Sequence, residues 1–211
     1  MSSPAAHRIA RQPSPARELL EANTRLERRV SELLAVAELA QTLTSELRLD
    51  AVLEAALTTA ASLTGAQAVS LLLAEPDGVG LVARARRGGE CLPAPGERRR
   101  SGEGLAGWVA RYQVPLLVAD LAAQPRFREM ALADGLEAGS FIGLPLVFRE
   151  RLLGVLCAAE KAGGLAFDER DLRILICLAP HLAIAIRNAT LHAQLEEQAR
   201  TARNASAGSP L

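Results

Sequence analysis

Ser101-Gly102-Glu103-Gly104 stands between the run Arg98-Arg99-Arg100 and an apolar, helix-like stretch. Free N–H groups and the dipole at a helix start favour an anion. Arg84 and Arg86 precede them on a strand-like segment and can reach toward the same space. Together these residues suit a phosphate or carboxylate. The competing reading is a solvated arginine loop before a helix that Ser101 caps, with Glu103 repelling an anion. Asp120 offers an acceptor for a cationic ligand instead, and arginines outnumber acids around this loop, which favours the anion. Phe127 and Met130 can line the roof of a pocket or plug it. Trp108 lies on the apolar face of its helix and reads as core.

Three cysteines are present, Cys91, Cys157 and Cys177. Cys91 sits in a loop beside arginines, the setting of a reactive thiolate. Cys157 and Cys177 lie in apolar strings and read as small buried hydrophobes. His181, after Pro180, reads as structural. No Ser/His/Asp set, paired carboxylates or metal spacing emerges, so the residues indicate neither catalysis nor a metal, and they name no cofactor.

The elements that must position these groups centre on residues 140–161. Two apolar runs flank Arg149-Glu150-Arg151, a hairpin signal. Both runs are apolar on both faces, so the pair belongs inside a sheet covered on two sides. Pro145 cannot donate to a ladder and implies a bulge or an unpaired N–H side. Upstream, Asp50 caps a helix over residues 51–63 that Gly65 stops. Strands over residues 68–74 and 81–86 enclose the turn Pro76-Asp77-Gly78. Residues 88–102 read as a loop, 105–112 as a short helix, 114–118 as a strand and 128–134 as a second short helix. Asp168 caps a last helix that Pro180 kinks and that runs to about Gln198. The outer helices then cover one face of an antiparallel sheet, and residues 90–139 cover the other, an arrangement that encloses a pocket.

Before this body, Leu19, Leu26 and Leu33 recur every seven residues, with Asn23 and Val30 between them. That stripe predicts a parallel dimer helix, with Asn23 setting register. The organisation expected is a disordered segment over residues 1–15, a coiled-coil-like helix over 16–32, a globular domain over 33–190, a helix extension over 191–198 and a disordered tail over 199–211. Lysines and arginines total 24 and acids total 24, so no net field draws nucleic acid. An odd cysteine count and a polar N-terminus without an apolar core point to a reducing cytoplasm. The longest apolar run, residues 174–186, is interrupted by Pro180 and His181 and is short for a bilayer.

Seven pieces of this chain, in order, resemble the GAF domain family. They are Ser101-Gly102-Glu103-Gly104-Leu105 with Trp108, Pro115 to Asp120 with Pro125-Arg126-Phe127, and Ser140 to Leu146. Leu153-Gly154-Val155-Leu156, Glu160-Lys161, Phe167-Asp168 and Ala183 to Ala189 complete the set. The resemblance implies an α+β, GAF/PAS-like fold with an antiparallel sheet of five or six strands. It also implies long N- and C-terminal helices that dimerise, and a ligand pocket under the middle segment. Members bind cyclic nucleotides, tetrapyrroles, haem or small metabolites, or serve as dimer and relay modules. Of the cyclic-nucleotide pattern, Lys161, Phe167 and Asp171 match, but Glu160 replaces Asn and Leu172 replaces Glu. Bilin carriers need a Cys within residues 120–139, where this chain has none. Free methionine-R-sulfoxide reductases place a cysteine where this chain has Leu105 and Ala106.

The function expected is therefore that of a cytoplasmic, homodimeric, non-catalytic signalling module. It senses a small molecule or relays a signal to a separate signalling protein, since residues for a kinase, cyclase or DNA-binding output are lacking. The alternatives are a structural adaptor with an occluded pocket and a divergent sulfoxide reductase using Cys91. Neither nucleic acid nor membrane is an expected partner.

Overall fold

The computed structural model describes residues 48–207. The heptad stripe, the expected N-terminal segment and the last residues of the tail lie outside the described residues.

Helix α1 spans Leu49–Thr64, followed by strands β1 (Ala66–Ala74), β2 (Gly80–Gly88) and β3 (Arg98–Arg100). Helix α2 (Gly104–Tyr112), strand β4 (Leu116–Val118) and helix α3 (Pro125–Ala133) make the crossover. Strands β5 (Phe141–Phe148) and β6 (Arg151–Lys161) and helix α4 (Glu169–Ala207) complete the order. The six strands form one sheet in the order β3-β2-β1-β6-β5-β4, with every neighbouring pair antiparallel.

The hairpin β5–β6 lies inside the sheet, as its two-sided apolar pattern requires. Its turn is Arg149-Glu150 alone, with φ values of 47° and 62°. Positive φ at both turn residues matches the twist of the strands it joins, and Arg151 already belongs to β6. Strand β4 pairs with β5 only from Phe141 to Gly143, so beyond that point β5 has one neighbour and Pro145 breaks no second ladder. The register also slips between Leu146 and Val147. At Gly154 a Cβ would lie 2.3 Å from the Leu72 carbonyl oxygen, so β1 and β6 can approach there only around glycine.

One face of the sheet packs on α1 and α4 through Val52, Leu53, Leu57, Leu178, Leu182 and Ile186, all essentially buried. The other carries the crossover, with Leu105, Val109, Leu121, Leu136 and Phe141 at its centre. Residues Glu169–Thr201 of α4 are long and apolar enough to cross a membrane by composition alone. In this fold, however, Leu175, Leu178, Leu182, Ala185, Ile186 and Ala189 face the core.

Several local expectations change. Asp50 lies in the first turn of α1 and Arg48 is its N-cap, without a side-chain cap; the helix enters two residues earlier, and Leu49 packs against the core. Gly65 does end α1, with φ 71° and its N–H on the Ala61 carbonyl. The 88–102 loop contains β3, which pairs with β2 from Gly80 to Val82. Helix α2 starts after Glu103 and not from a Ser101 cap. Helix α4 continues to Ala207, past the expected end near Gln198. Cys177 is exposed, not buried, because it falls on the opposite side of α4 from Leu175 and Leu178.

Candidate functional site: the crossover face

Arg98-Arg99-Arg100 looked like a solvated run, but a strand alternates its side chains. In β3 only Arg99 turns inward, and its neighbours are exposed. Every nitrogen of its guanidinium is engaged. Nε donates to Asp134 Oδ1 at 3.0 Å, Nη2 to Glu97 Oε2 at 3.1 Å and Nη1 to the Arg98 carbonyl at 2.9 Å. Arg98 itself pairs with Glu75 at 3.3 Å.

Asp134 is the residue that sequence reasoning missed. It caps the C-terminus of α3, is 7 % exposed, and presents its carboxylate to the start of α2. Its Oδ2 accepts the Leu105 N–H at 2.6 Å. The anion place foreseen after Ser101 is thus filled by the chain's own carboxylate. No local pattern advertises this contact, since its partners lie 29 and 35 positions away. Gly104 makes room for it: φ is +66°, and a Cβ there would sit 2.3 Å from Asp134 Oδ1.

Burial pushes the Asp134 carboxyl above its ordinary range, against the pull of Arg99 and of the Leu105 and Ala106 N–H groups. Arg99 behaves differently: burial acts to lower it, and its bonds to Asp134 and Glu97 prevail and raise it. An ion pair alone would lower the acid, so the two partners do not shift as a simple pair. The difference follows from exposure, 2 % for the Asp134 side chain against 16 % for that of Arg99. Desolvation therefore weighs more on the carboxylate, and the raised direction is the one we adopt.

Beneath this contact the sheet is polar in places. Cys157 is fully buried and its thiol is pushed well up, by burial first and then by the charge of Asp134. Its neighbour in register on β1 is Ser70, wholly buried, whose hydroxyl has no partner among the described residues. On the other side of Ser70 is Arg86, which donates from Nη1 to the Leu92 carbonyl at 3.0 Å.

The remaining predicted residues are dispersed. Arg84 is exposed where β2 slips its register against β1. Arg100 is paired with Gly80, and Arg86 lies six residues further along β2, roughly 20 Å at strand rise. Arg84 and Arg86 therefore do not converge with Ser101, Gly102 and Gly104. Ser101 is exposed and donates its N–H to the Val79 carbonyl, and the Gly102 N–H goes to the Gly107 carbonyl at 2.7 Å. Asp120 is exposed and holds its own turn, accepting the N–H of Ala122 at 2.8 Å. Phe127 meets Trp108 edge-on at 5.7 Å, and both, with Met130, pack onto the crossover-side core. A separate cleft of about 480 Å³ opens where the α2 C-terminus meets the two hairpin turns, lined by Glu75, Asp77, Ser101, Arg111 and Arg151 among others.

Lys161 and Asp171, two residues that match the cyclic-nucleotide pattern, meet at 2.5 Å. Asp168 Oδ1 accepts the Arg170 and Asp171 N–H groups, and Asp171 Oδ2 accepts the Asp168 N–H at 3.0 Å. This reciprocal cap ties the α4 start to β6, while Ser140 Oγ accepts the Phe167 N–H at 3.1 Å. The thiol of Cys91 is raised to about 11, by burial first and then by the charge and hydrogen bond of Glu160. It is therefore protonated near neutrality, contrary to the thiolate expected from its arginine neighbours. Among the described residues no group of three His, Cys, Asp or Glu side chains could hold a metal ion.

This sheet, roofed by a crossover on one face and flanked by helices on the other, defines a class of α+β domains. The GAF domain family model matches residues 46–187, and the chain belongs to that family. It is 30 % identical over 112 residues to the Nif-specific regulatory protein of Herbaspirillum seropedicae, covering 49 % of this chain and 20 % of that protein. The chain thus matches about one fifth of the length of that curated relative. The GAF domain of a Coxiella burnetii phosphoenolpyruvate-protein phosphotransferase superposes with a TM-score of 0.64 at 23 % identity, over 78 % of this chain and 98 % of that one. Free methionine-R-sulfoxide reductase of Neisseria meningitidis, in complex with its substrate, does so at 0.59 and 24 %, over 74 % and 88 %. Identities at this level establish the shared fold.

Proposed function

We propose that this chain is a non-catalytic, cytoplasmic signal-transduction module that reads a small molecule or relays a signal to a separate protein. The observation that carries the reading is the composition of the crossover face. A carboxylate, a thiol and a hydroxyl without a partner among the described residues lie buried on that face without the geometry of a catalytic set, and the short helix α3 that joins it buries Ala131 alone. Such a face suits recognition and movement better than chemistry. Similarity to the Nif-specific regulatory protein supports a regulatory role. The protonated state of Cys91 weighs against the reductase alternative. The adaptor alternative draws on Phe127 and Met130, which pack directly on the crossover-side core and narrow any pocket.

The module acts as a homodimer through Leu19, Asn23, Leu26, Val30 and Leu33, whose spacing is that of a coiled-coil seam. Native mass spectrometry of the whole chain, beside a variant lacking residues 1–32, tests both parts. A dimer in the first, a monomer in the second and a bound small mass support the proposal. A monomeric whole chain removes the dimer. Absence of bound mass together with no thermal shift across nucleotides and small metabolites favours the adaptor.

A further inference from the structure

The crossover carries a device that this reading does not include. Residues 122–135 form a strap between two leucines, Leu121 and Leu136, which are 0 % and 2 % exposed. Between these anchors α3 buries only Ala131 and packs chiefly on α2. Phe127 and Met130 are half-buried, and Leu132 is 51 % exposed. Apolar burial of this kind holds a helix weakly. Its strongest tie is polar, the Asp134 carboxylate received by the Leu105 N–H and by Arg99 Nε.

We propose that Asp134 is a releasable latch: its carboxylate is the tethered occupant of an anion cradle at the start of α2, and holds the strap closed against that helix. Two observations build the cradle. The first two N–H groups past Gly104 point to one carboxylate, at the end of the helix where the dipole favours negative charge. Arg99 is aimed there by the alternation of β3 and is fixed by Glu97 and the Arg98 carbonyl. The charge of Asp134 also reaches Cys157, fully buried on the crossover face in β6.

The latch makes the domain self-occupied. A free carboxylate or phosphate can take the cradle only by displacing Asp134, and displacement frees α3 between its two leucine anchors. Occupancy of one small site thereby becomes a change in the surface made by α2 and α3. This holds whether or not a natural ligand is ever identified.

The test replaces the tethered carboxylate with a free one. Asp134→Ala in the full chain should raise amide exchange across residues 122–135 by about tenfold or more, the scale of a lost hydrogen bond to a charged group. Exchange in α1 and α4 should not change. Formate, titrated against chloride at constant ionic strength, should restore protection saturably in the variant and leave the wild type unaffected. The latch is overturned if strap exchange is unchanged, if α1 and α4 lose protection to the same extent, or if formate acts no differently from chloride. Should Asp134→Ala not fold, Arg99→Gln and Asp134→Asn carry the exchange measurement. Each must loosen the strap selectively, and unaltered exchange in both refutes the proposal.

Discussion

The two faces of the sheet are built from different materials. On the helical face, α1 and α4 press leucines and alanines, with Phe167 just before α4, against β1, β5 and β6. Its buried polar residues, Thr59, Thr64 and Asp171, belong to the helices, where Thr64 bonds its own helix and Asp171 pairs with Lys161. On the crossover face, leucines and alanines share the space with Asp134, Ser70 and Cys157. The helical face draws its stability mainly from burial, at roughly 1.5–3 kcal/mol per large side chain. The crossover face balances burial against polar groups whose desolvation must be offset bond by bond.

Three experiments press on this contrast, beginning with the largest effect. Leu182→Ala removes a fully buried side chain from the helical face and should lower unfolding free energy by about 2–5 kcal/mol in urea titrations. An effect well under 1 kcal/mol would mean that α4 is not the frame. Next, pH separates Asp134 from the other carboxylates. Because burial raises the folded pKa of Asp134 above its ordinary 3.8, the folded state binds the extra proton. Its contribution is greatest at acid pH and declines as pH rises from the ordinary value through the raised one. Asp168 and Glu97 act oppositely. Each is lowered, chiefly by a backbone N–H, from Asp171 and Ala94 respectively, and each loses its stabilisation as pH falls through its folded pKa. Subtracting the Asp134→Asn stability profile from that of the wild type should isolate a difference that falls with rising pH. A difference that rises with pH would place Asp134 with the ordinary, lowered carboxylates. The smallest effect is on reactivity. Cys177 is exposed and should be alkylated first at pH 8. Cys91, raised to about 11, should follow slowly, and Cys157 only on unfolding, as mass-resolved labelling would show. Faster labelling of Cys91 than of Cys177 would reopen the redox reading.

Much of the frame was legible because its signals are local. The β5–β6 runs are apolar at every position, which demands a doubly covered place in a sheet whatever surrounds them. Gly65 ends α1 by its own left-handed backbone. The Gly-rich start of α2 and the Asp168 cap likewise carry their geometry in a few neighbouring residues; the start of α3 was placed at 128 but falls at Pro125, whose fixed φ suits a first helical position. Periodicity was weaker evidence for α4, since Cys177 and Ile176 extend the apolar string onto the solvent side.

The working face was legible only in its pieces. Composition and spacing placed a helix start beside arginines, and α2 does begin after Arg98-Arg99-Arg100. What occupies that start is decided by a contact 29 residues long in sequence, and which arginine joins it by the pairing of β3 with β2, which turns Arg99 inward and leaves Arg98 and Arg100 outside. Arg84 and Arg86 were close in sequence and chemistry, yet six residues of extended chain carry Arg86 some 20 Å away from the Gly80–Arg100 pair. Backbone conformation and hydrophobic pattern depend on neighbours a few positions apart, so the sequence by itself determined the elements and the covered sheet. Ion pairing and burial depend on which distant segments the fold brings within 3 Å, so the tertiary structure alone decided that the cradle holds Asp134.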